Sequence, residues 1–280
     1  MEESKGKKYT LTEEILAYYE RGEEAQRLLT GFNQLEMART QELLVRFLPP
    51  PPAVILDVGG GSGHYACWLA KKGYKVHLMD PIPLHVEQAW QNSNQQADHP
   101  LESATIGDAR YLQLPDESAD AVLLFGPLYH LTEFDDRQRA LKEAHRVLRR
   151  LGIIMAVGIS RFASALDGLD TGFIDDSSFV KIIERDLNEG QHRNPTNNPS
   201  YFTTAYFHHP FELQTEVEAA GFLHAKTLAV EGPGWVVKDF EKRWQVEERR
   251  NLLLALIRKI ETEPSLLGMS GHIMVIAQKG

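Results

Sequence analysis

Between residues 54 and 158 short apolar runs alternate with helix-patterned segments, and this alternation confines the chain to a parallel sheet with crossover helices. The runs fall at 54–58, 76–79, 104–106, 121–125 and 153–158. Helical spacing separates them at 65–72, 84–90 and 137–150. Upstream, 11–47 reads as two helices parted near Gly31, and the prolines at 49–52 stop any helix because they lack a donor and clash with the preceding turn. Downstream, 161–201 has helical segments and no convincing strand. Phe179, Ile183 and Leu187 fall on one face of a helix that Gly190 can end. Sheet-like sequence returns at 223–230 and 272–277, after helices at 210–220 and around 239–261. The expected organisation is an N-terminal helical segment over 1–52, a core over 53–160, an inserted helical cap over 161–209 and the C-terminal part of the core sheet over 210–280.

Composition narrows the partners. Thirty Lys and Arg against 39 Asp and Glu give a formal charge of -9, which repels nucleic acid and anionic lipid. Cys67 is the one cysteine, so no intrachain disulfide or thiolate metal cluster forms. The charged start, Met1 to Lys8, lacks the apolar stretch of a secretory signal, and no apolar run is long enough to span a membrane. A cytoplasmic protein with a small-molecule partner is expected.

The chemistry concentrates in three loops. The first strand ends in Asp57-Val58-Gly59-Gly60-Gly61-Ser62-Gly63, a turn that lets the backbone approach a ligand while the next helix offers unpaired N–H groups. Gly59, Gly61 and Gly63 are evenly spaced, without the two-residue gap of the dinucleotide fingerprint, and the strand carries an acid; both points favour adenosylmethionine over a pyrophosphate. Asp80, followed by Pro81, ends the second strand and can accept from two ribose hydroxyls. Gly107-Asp108-Ala109 follows the third, where a carboxylate can accept from an adenine amino group.

On these residues the chain resembles class I S-adenosylmethionine-dependent methyltransferases over about 54–157. The glycine turn resembles their first motif, Asp80 the second and Gly107-Asp108-Ala109 the third. Leu124-Phe125-Gly126-Pro127-Leu128-Tyr129-His130-Leu131 and the helix Ala140 to Leu148 resemble the small-molecule group that includes ubiquinone-type methylases. The resemblance implies a Rossmann-like, doubly wound α/β fold of seven strands, mostly parallel with an antiparallel last strand. Leu151-Gly152 replaces the Pro-Gly-Gly that often precedes the fifth strand in such enzymes.

Expected cofactor contacts are Tyr19, Arg39, Asp57, Gly59, Gly60, Gly61, Gly63, Asp80, Pro81, Gly107, Asp108, Ala109 and Gly126, with Arg39 pairing the cofactor carboxylate. The sulfonium activates the methyl carbon by itself, so the protein need only align a nucleophile and, for some substrates, remove a proton. His130 is the candidate base, beside Tyr129, whose ring can instead wall the pocket. Arg161, His192, Tyr201, Tyr206, His208 and Trp235 are the candidate acceptor-binding residues. No metal site is expected, because the adjacent His208 and His209 point to opposite faces of an extended segment. A nicotinamide-dependent oxidoreductase and a non-catalytic cofactor-binding regulator are the alternatives.

Overall fold

The computed structural model describes residues 11–196 and 198–280; the remainder of the expected 1–52 segment, its first ten residues, lies outside them, as does Asn197. The N-terminal part forms α1 (Glu13–Tyr19), α2 (Glu24–Arg27) and α3 (Asn33–Phe47), three helices rather than two. The core follows as β1 (Val54–Val58), α4 (His64–Lys71), β2 (Lys75–Asp80), α5 (Pro83–Asn94), β3 (Ser103–Ile106), β4 (Ala119–Leu124), α6 (Pro127–His130), α7 (Phe134–Val147) and β5 (Leu148–Ser160). Next come α8 (Ala163–Thr171), α9 (Ser177–Glu189), β6 (Gln191–His192) and β7 (Ala205–His208). The chain finishes with α10 (Pro210–Ala219), β8 (Phe222–Ala229), α11 (Phe240–Trp244), α12 (Glu247–Ile260) and β9 (His272–Lys279).

The strand order β3-β2-β1-β4-β5 is parallel, and β9 lies antiparallel against both β5 and β8. Side chains alternate across the sheet with the period of two that extended backbone imposes. Leu56, Val58, Val122 and Leu124 pack under Leu141 and Ala144 of α7 and Leu213 of α10. Ile55, Leu78, Ala121 and Leu123 pack under Leu43 of α3, Leu69 of α4 and Ala89 of α5. Helices cover both faces, as a doubly wound α/β sheet requires.

The fold departs from the sequence pattern in three places. The stretch expected to lack strands contains β6, and β7 pairs parallel with Ile159 and Ser160 of β5, past the end of β4. In α9 the buried face is Phe179, Ile182 and Asp186, while Leu187 is 41% exposed. The face is rotated because the Asp186 carboxylate is drawn inward by Ser164 Oγ at 2.5 Å and His192 Nδ1 at 2.8 Å. The expected single helix around 239–261 is two, α11 and α12.

Candidate active site

The glycine turn joins β1 to α4 at the carboxyl end of the parallel strands, where open α/β sheets bind ligands. Gly59, Gly61 and Gly63 have φ of 72°, 57° and 83°, left-handed values that L side chains rarely adopt. The turn has no room for side chains at two places: a Cβ on Gly59 would sit 2.7 Å from the Pro127 ring, and one on Gly60 2.7 Å from Asp57 Oδ2. At Gly61 a Cβ would meet nothing within 4 Å, so this residue borders open space. Gly63 instead packs on Ala89 of α5 and does not line the cavity.

That cavity holds about 1050 Å³, part of it open to solvent. Its floor is Asp57, Gly59, Gly60, Gly61 and Ser62; Asp80, Pro81, Gly107, Asp108, Ala109 and Gly126 form the sides. Ile15, Tyr19, Glu24, Arg27 and Leu28 of the N-terminal helices close over it. His64 Nε2, 2.8 Å from the Ala25 carbonyl, ties that cover to α4.

Asp80 shapes the turn directly. Its Oδ2 accepts Gly61 N–H at 2.9 Å, and its Oδ1 accepts Ile82 N–H at 2.9 Å and lies 3.1 Å from His85 Nδ1. Asp57 is buried, and burial together with the neighbouring Asp80 raises its carboxyl from 3.8 to about 7. Asp57 Oδ2, Ser62 Oγ and His85 Nε2 are buried with no partner among the described residues. Asp108 lines the cavity, but both its oxygens grip Arg110, at 2.9 and 2.6 Å, so they are less available to an adenine than the sequence suggests.

A second cavity lies beyond Tyr129. Tyr18, Phe179, Tyr201, Phe202 and Phe207 wall it, His192, Asp167 and His272 contribute polar groups, and Tyr19, Glu24, Arg27 and Tyr129 line both cavities. Burial pushes the Tyr129 phenol well above its ordinary value, which keeps it neutral. At His130, Nδ1 lies 3.3 Å from the Thr204 carbonyl and Nε2 2.6 Å from the Tyr19 hydroxyl. A carbonyl only accepts, so Nδ1 carries the proton and Nε2 accepts from Tyr19. Burial holds this imidazole down at about 4. With both nitrogens engaged and the ring neutral, His130 is placed as an anchor for α1 rather than as a free base.

The expected acceptor-binding residues divide. His192 and Tyr201 line the second cavity, although both His192 nitrogens are satisfied, by Asp186 and by the Tyr201 carbonyl at 2.8 Å. Arg161, Tyr206, His208 and Trp235 do not line the two cavities. Arg161 pairs with Glu212 of α10 at 2.6 Å and donates to the Phe207 carbonyl of β7, a strut from the start of the cap to its end. Tyr206 lies under the Arg137 guanidinium in a shallow third cavity, and His208 is buried 3.5 Å from Glu216. Trp235 donates its indole N–H to the Met269 carbonyl at 2.8 Å. Arg39 is also displaced from its expected role: fully buried in α3, it pairs with Glu261 and Glu42 and donates to the Val230 carbonyl at 3.1 Å, away from both cavities. Long polar chains on a helix or loop carry no local mark of which neighbour will satisfy them.

Arg27, Glu24, His85 and His272 line the cavities, with Glu231 paired to His272, and none of them was singled out in the sequence. Arg27 and Glu24 look there like an ordinary solvated i,i+3 pair. Ligand atoms of Glu36, Glu231 and His272 approach within 4.8 Å of one another. Arg27 already holds Glu36 at 2.5 Å and His272 holds Glu231 at 2.6 Å, so the group is an ion-pair network with its charges largely matched.

Comparison with known proteins agrees with this geometry. Residues 56–156 match a family model described as a methyltransferase domain. An S-adenosyl-L-methionine-dependent Diels-Alderase of Talaromyces variabilis is 29% identical over 182 residues, 55% of this chain and 62% of that protein. A ubiquinone/menaquinone biosynthesis C-methyltransferase of Caulobacter is 31% identical over 124 residues, 41% of this chain and 48% of that one. The match thus spans less than two thirds of either relative. Among solved structures, a methyltransferase of Methanosarcina mazei superposes with a TM-score of 0.57 at 18% identity, covering 85% of this chain and 96% of its own, a likeness of fold. With its motifs, sheet order and domain match in agreement, residues 56–156 form a methyltransferase domain within a chain that has the fold of class I S-adenosylmethionine-dependent methyltransferases, a likeness that implies S-adenosylmethionine as the cofactor.

Proposed function

We propose that the protein moves the methyl group of S-adenosylmethionine in line onto a small molecule held between the glycine turn and the helices of 161–209, the stretch we assign as a cap. The observation that carries this reading is the shared wall: Tyr19, Glu24, Arg27 and Tyr129 border both the cofactor-side cavity and the aromatic one. The first cavity suits the cofactor chemically. Asp57 Oδ2, Ser62 Oγ and His85 Nε2 are buried and unpaired, and the cofactor offers an ammonium, a carboxylate and ribose hydroxyls to meet such groups.

When bound, the cofactor supplies an electrophilic methyl carbon on a sulfonium. The chain's own residues then position and shield. Asp80 fixes the turn through Gly61 N–H, Asp57 opposes positive charge, and Tyr19 with Tyr129 walls the passage and excludes water. Enclosure by the cap and the charge of -9 support a small acceptor over nucleic acid. No helix among the described residues is long and apolar enough to cross a membrane.

Release of adenosylhomocysteine with a panel of phenols, amines and thiols, with labelled methyl recovered in the product, tests this proposal. No turnover with any acceptor class would sink it. A second reading, ring closure with retention of the methyl group, is favoured by the relative named a Diels-Alderase and by the aromatic cavity. There the product forms without adenosylhomocysteine release.

Asp57 adds a pH dependence. Its folded pKa is raised, so the native state holds a proton that the unfolded chain gives up near 3.8, and stability declines as pH rises from there to about 7. A cationic ligand beside Asp57 favours the ionised form. Adenosylmethionine affinity is therefore expected to increase as pH rises through about 7, with proton release visible by calorimetry in buffers of different ionisation enthalpy. An affinity flat across that range would remove Asp57 from the cofactor site.

A further inference from the structure

The aromatic cavity ends on a carboxylate–histidine pair that cofactor binding leaves unused. His272 opens β9, and because β9 runs antiparallel to β5 its first residue lies opposite Ile159, at the ligand-binding end of the parallel strands. Glu231, buried in the loop after β8, clamps it twice: Oε1 is 2.6 Å from Nδ1, and Oε2 accepts the His272 backbone N–H at 3.0 Å. Ser270 Oγ donates to the same Oε2 at 2.7 Å and fixes the carboxylate in turn. A carboxylate only accepts, so Nδ1 carries a proton. Nε2 is the ring nitrogen left over; it has no protein partner among the described residues, and the residue borders the cavity. A buried carboxylate that orients a histidine whose other nitrogen is free is the geometry of a general base.

The charged groups around it are three acids, Glu24, Glu36 and Glu231, and one other cation, Arg27. Arg27 bridges Glu24 and Glu36, and Glu36 Oε2 lies 3.9 Å from Nδ1. Burial alone would lower the imidazole, but Glu36 and Glu231 outweigh it and lift it to about 9. That value approaches the ~10 of a phenol, so a proton shared between the two is nearly balanced. At neutral pH the ring is charged, which suits an ionised oxygen and repels an ammonium. The walls of Tyr18, Phe179, Tyr201, Phe202 and Phe207 match a flat aromatic body.

We propose that Glu231 and His272 form the acid–base pair for the acceptor, and that the acceptor is a hydroxyaromatic molecule or enol whose O–H meets His272 Nε2. This assignment rests on the methyl-transfer reading above. In the fraction whose ring is neutral, the acceptor O–H bond breaks and its proton passes to Nε2, giving the same imidazolium–oxyanion pair that the charged ring forms with an already ionised acceptor. The oxygen electron pair forms the new O–C bond as the C–S bond breaks, its electrons staying on sulfur. His272 then returns the proton to solvent.

Binding of para-nitrophenol, para-nitroanisole and (para-nitrobenzyl)trimethylammonium in the presence of adenosylhomocysteine separates the possibilities without turnover. The phenol is expected to bind as its coloured anion, about ten- to a hundredfold tighter than the ether, the worth of one hydrogen bond to a charged group. His272→Gln abolishes that preference and keeps adenosylhomocysteine affinity. Glu231→Gln weakens the preference and lowers the His272 titration seen by NMR of labelled histidine. Equal binding of phenol and ether by the parent protein, a preference surviving in His272→Gln, or tighter binding of the quaternary ammonium overturns the assignment while leaving methyl transfer standing. The parent comparison decides even where a variant fails to fold. Failure of adenosylhomocysteine to bind the parent protein would overturn the methyl-transfer reading itself, and this pair with it.

Discussion

Asp80→Ala is expected to bind adenosylhomocysteine at least about a hundredfold more weakly than the parent protein, a loss of about 3 kcal/mol or more. The carboxylate accepts Gly61 N–H and Ile82 N–H, each at 2.9 Å, and faces His85 Nδ1 at 3.1 Å. Removing it leaves three donors without their acceptor, those of Ile82 and His85 buried and that of Gly61 part-buried, and each buried stranded donor costs about 1–3 kcal/mol. The glycine turn then loses the one side chain that holds Gly61 N–H inward. Part of the loss falls on stability, so the melting temperature is expected to drop as well. Asp80→Asn keeps one acceptor oxygen and turns an amide toward one of the donors, and its affinity should fall between parent and alanine. Calorimetry with a thermal melt separates the two effects. Parent-like affinity in a folded Asp80→Ala protein would show that the turn holds its shape without this acid.

Arg39→Met is expected to do the reverse: it costs about 3–5 kcal/mol of stability and leaves cofactor affinity unchanged. The Arg39 side chain is fully buried and pairs with Glu261 and Glu42, while its Nε donates to the Val230 carbonyl. Methionine fills most of the volume but strands the buried Glu261, whose remaining partner is Arg46 at 2.8 Å. The ion pair fastens α3 to the segment after α12, 222 residues apart in the chain. Urea unfolding beside an adenosylhomocysteine titration measures both quantities. An affinity that collapsed with stability intact would return Arg39 to the carboxylate-binding role that its position in the sequence suggests.

The contrast between these two residues marks how far local pattern reaches. Asp80 is legible because a strand end followed by a turn is a local event, and its partners Gly61 and Ile82 follow from strand adjacency. Arg39 is not, since its partners come from the far end of the chain. The same holds for His130, whose partner Tyr19 lies 111 residues away, and for His272, which reads as the first residue of an ordinary strand. In the cap, periodicity located α9 and its Gly190 stop, where φ is 70°, yet placed Leu187 inward because spacing carries no information about the buried Asp186–His192 pair. β7 escaped because its pairing with β5 is two residues long.

Apolar alternation and left-handed glycines are requirements that neighbouring residues impose on one another. They settled the parallel core, its helices on both faces and the turn that receives the cofactor before any packing was known. Which polar side chains face the aromatic cavity was left to the tertiary structure. A buried ion pair or histidine tautomer is chosen by whatever group folding brings within about 3 Å, and for Arg39, His130 and His272 that group lies elsewhere in the chain.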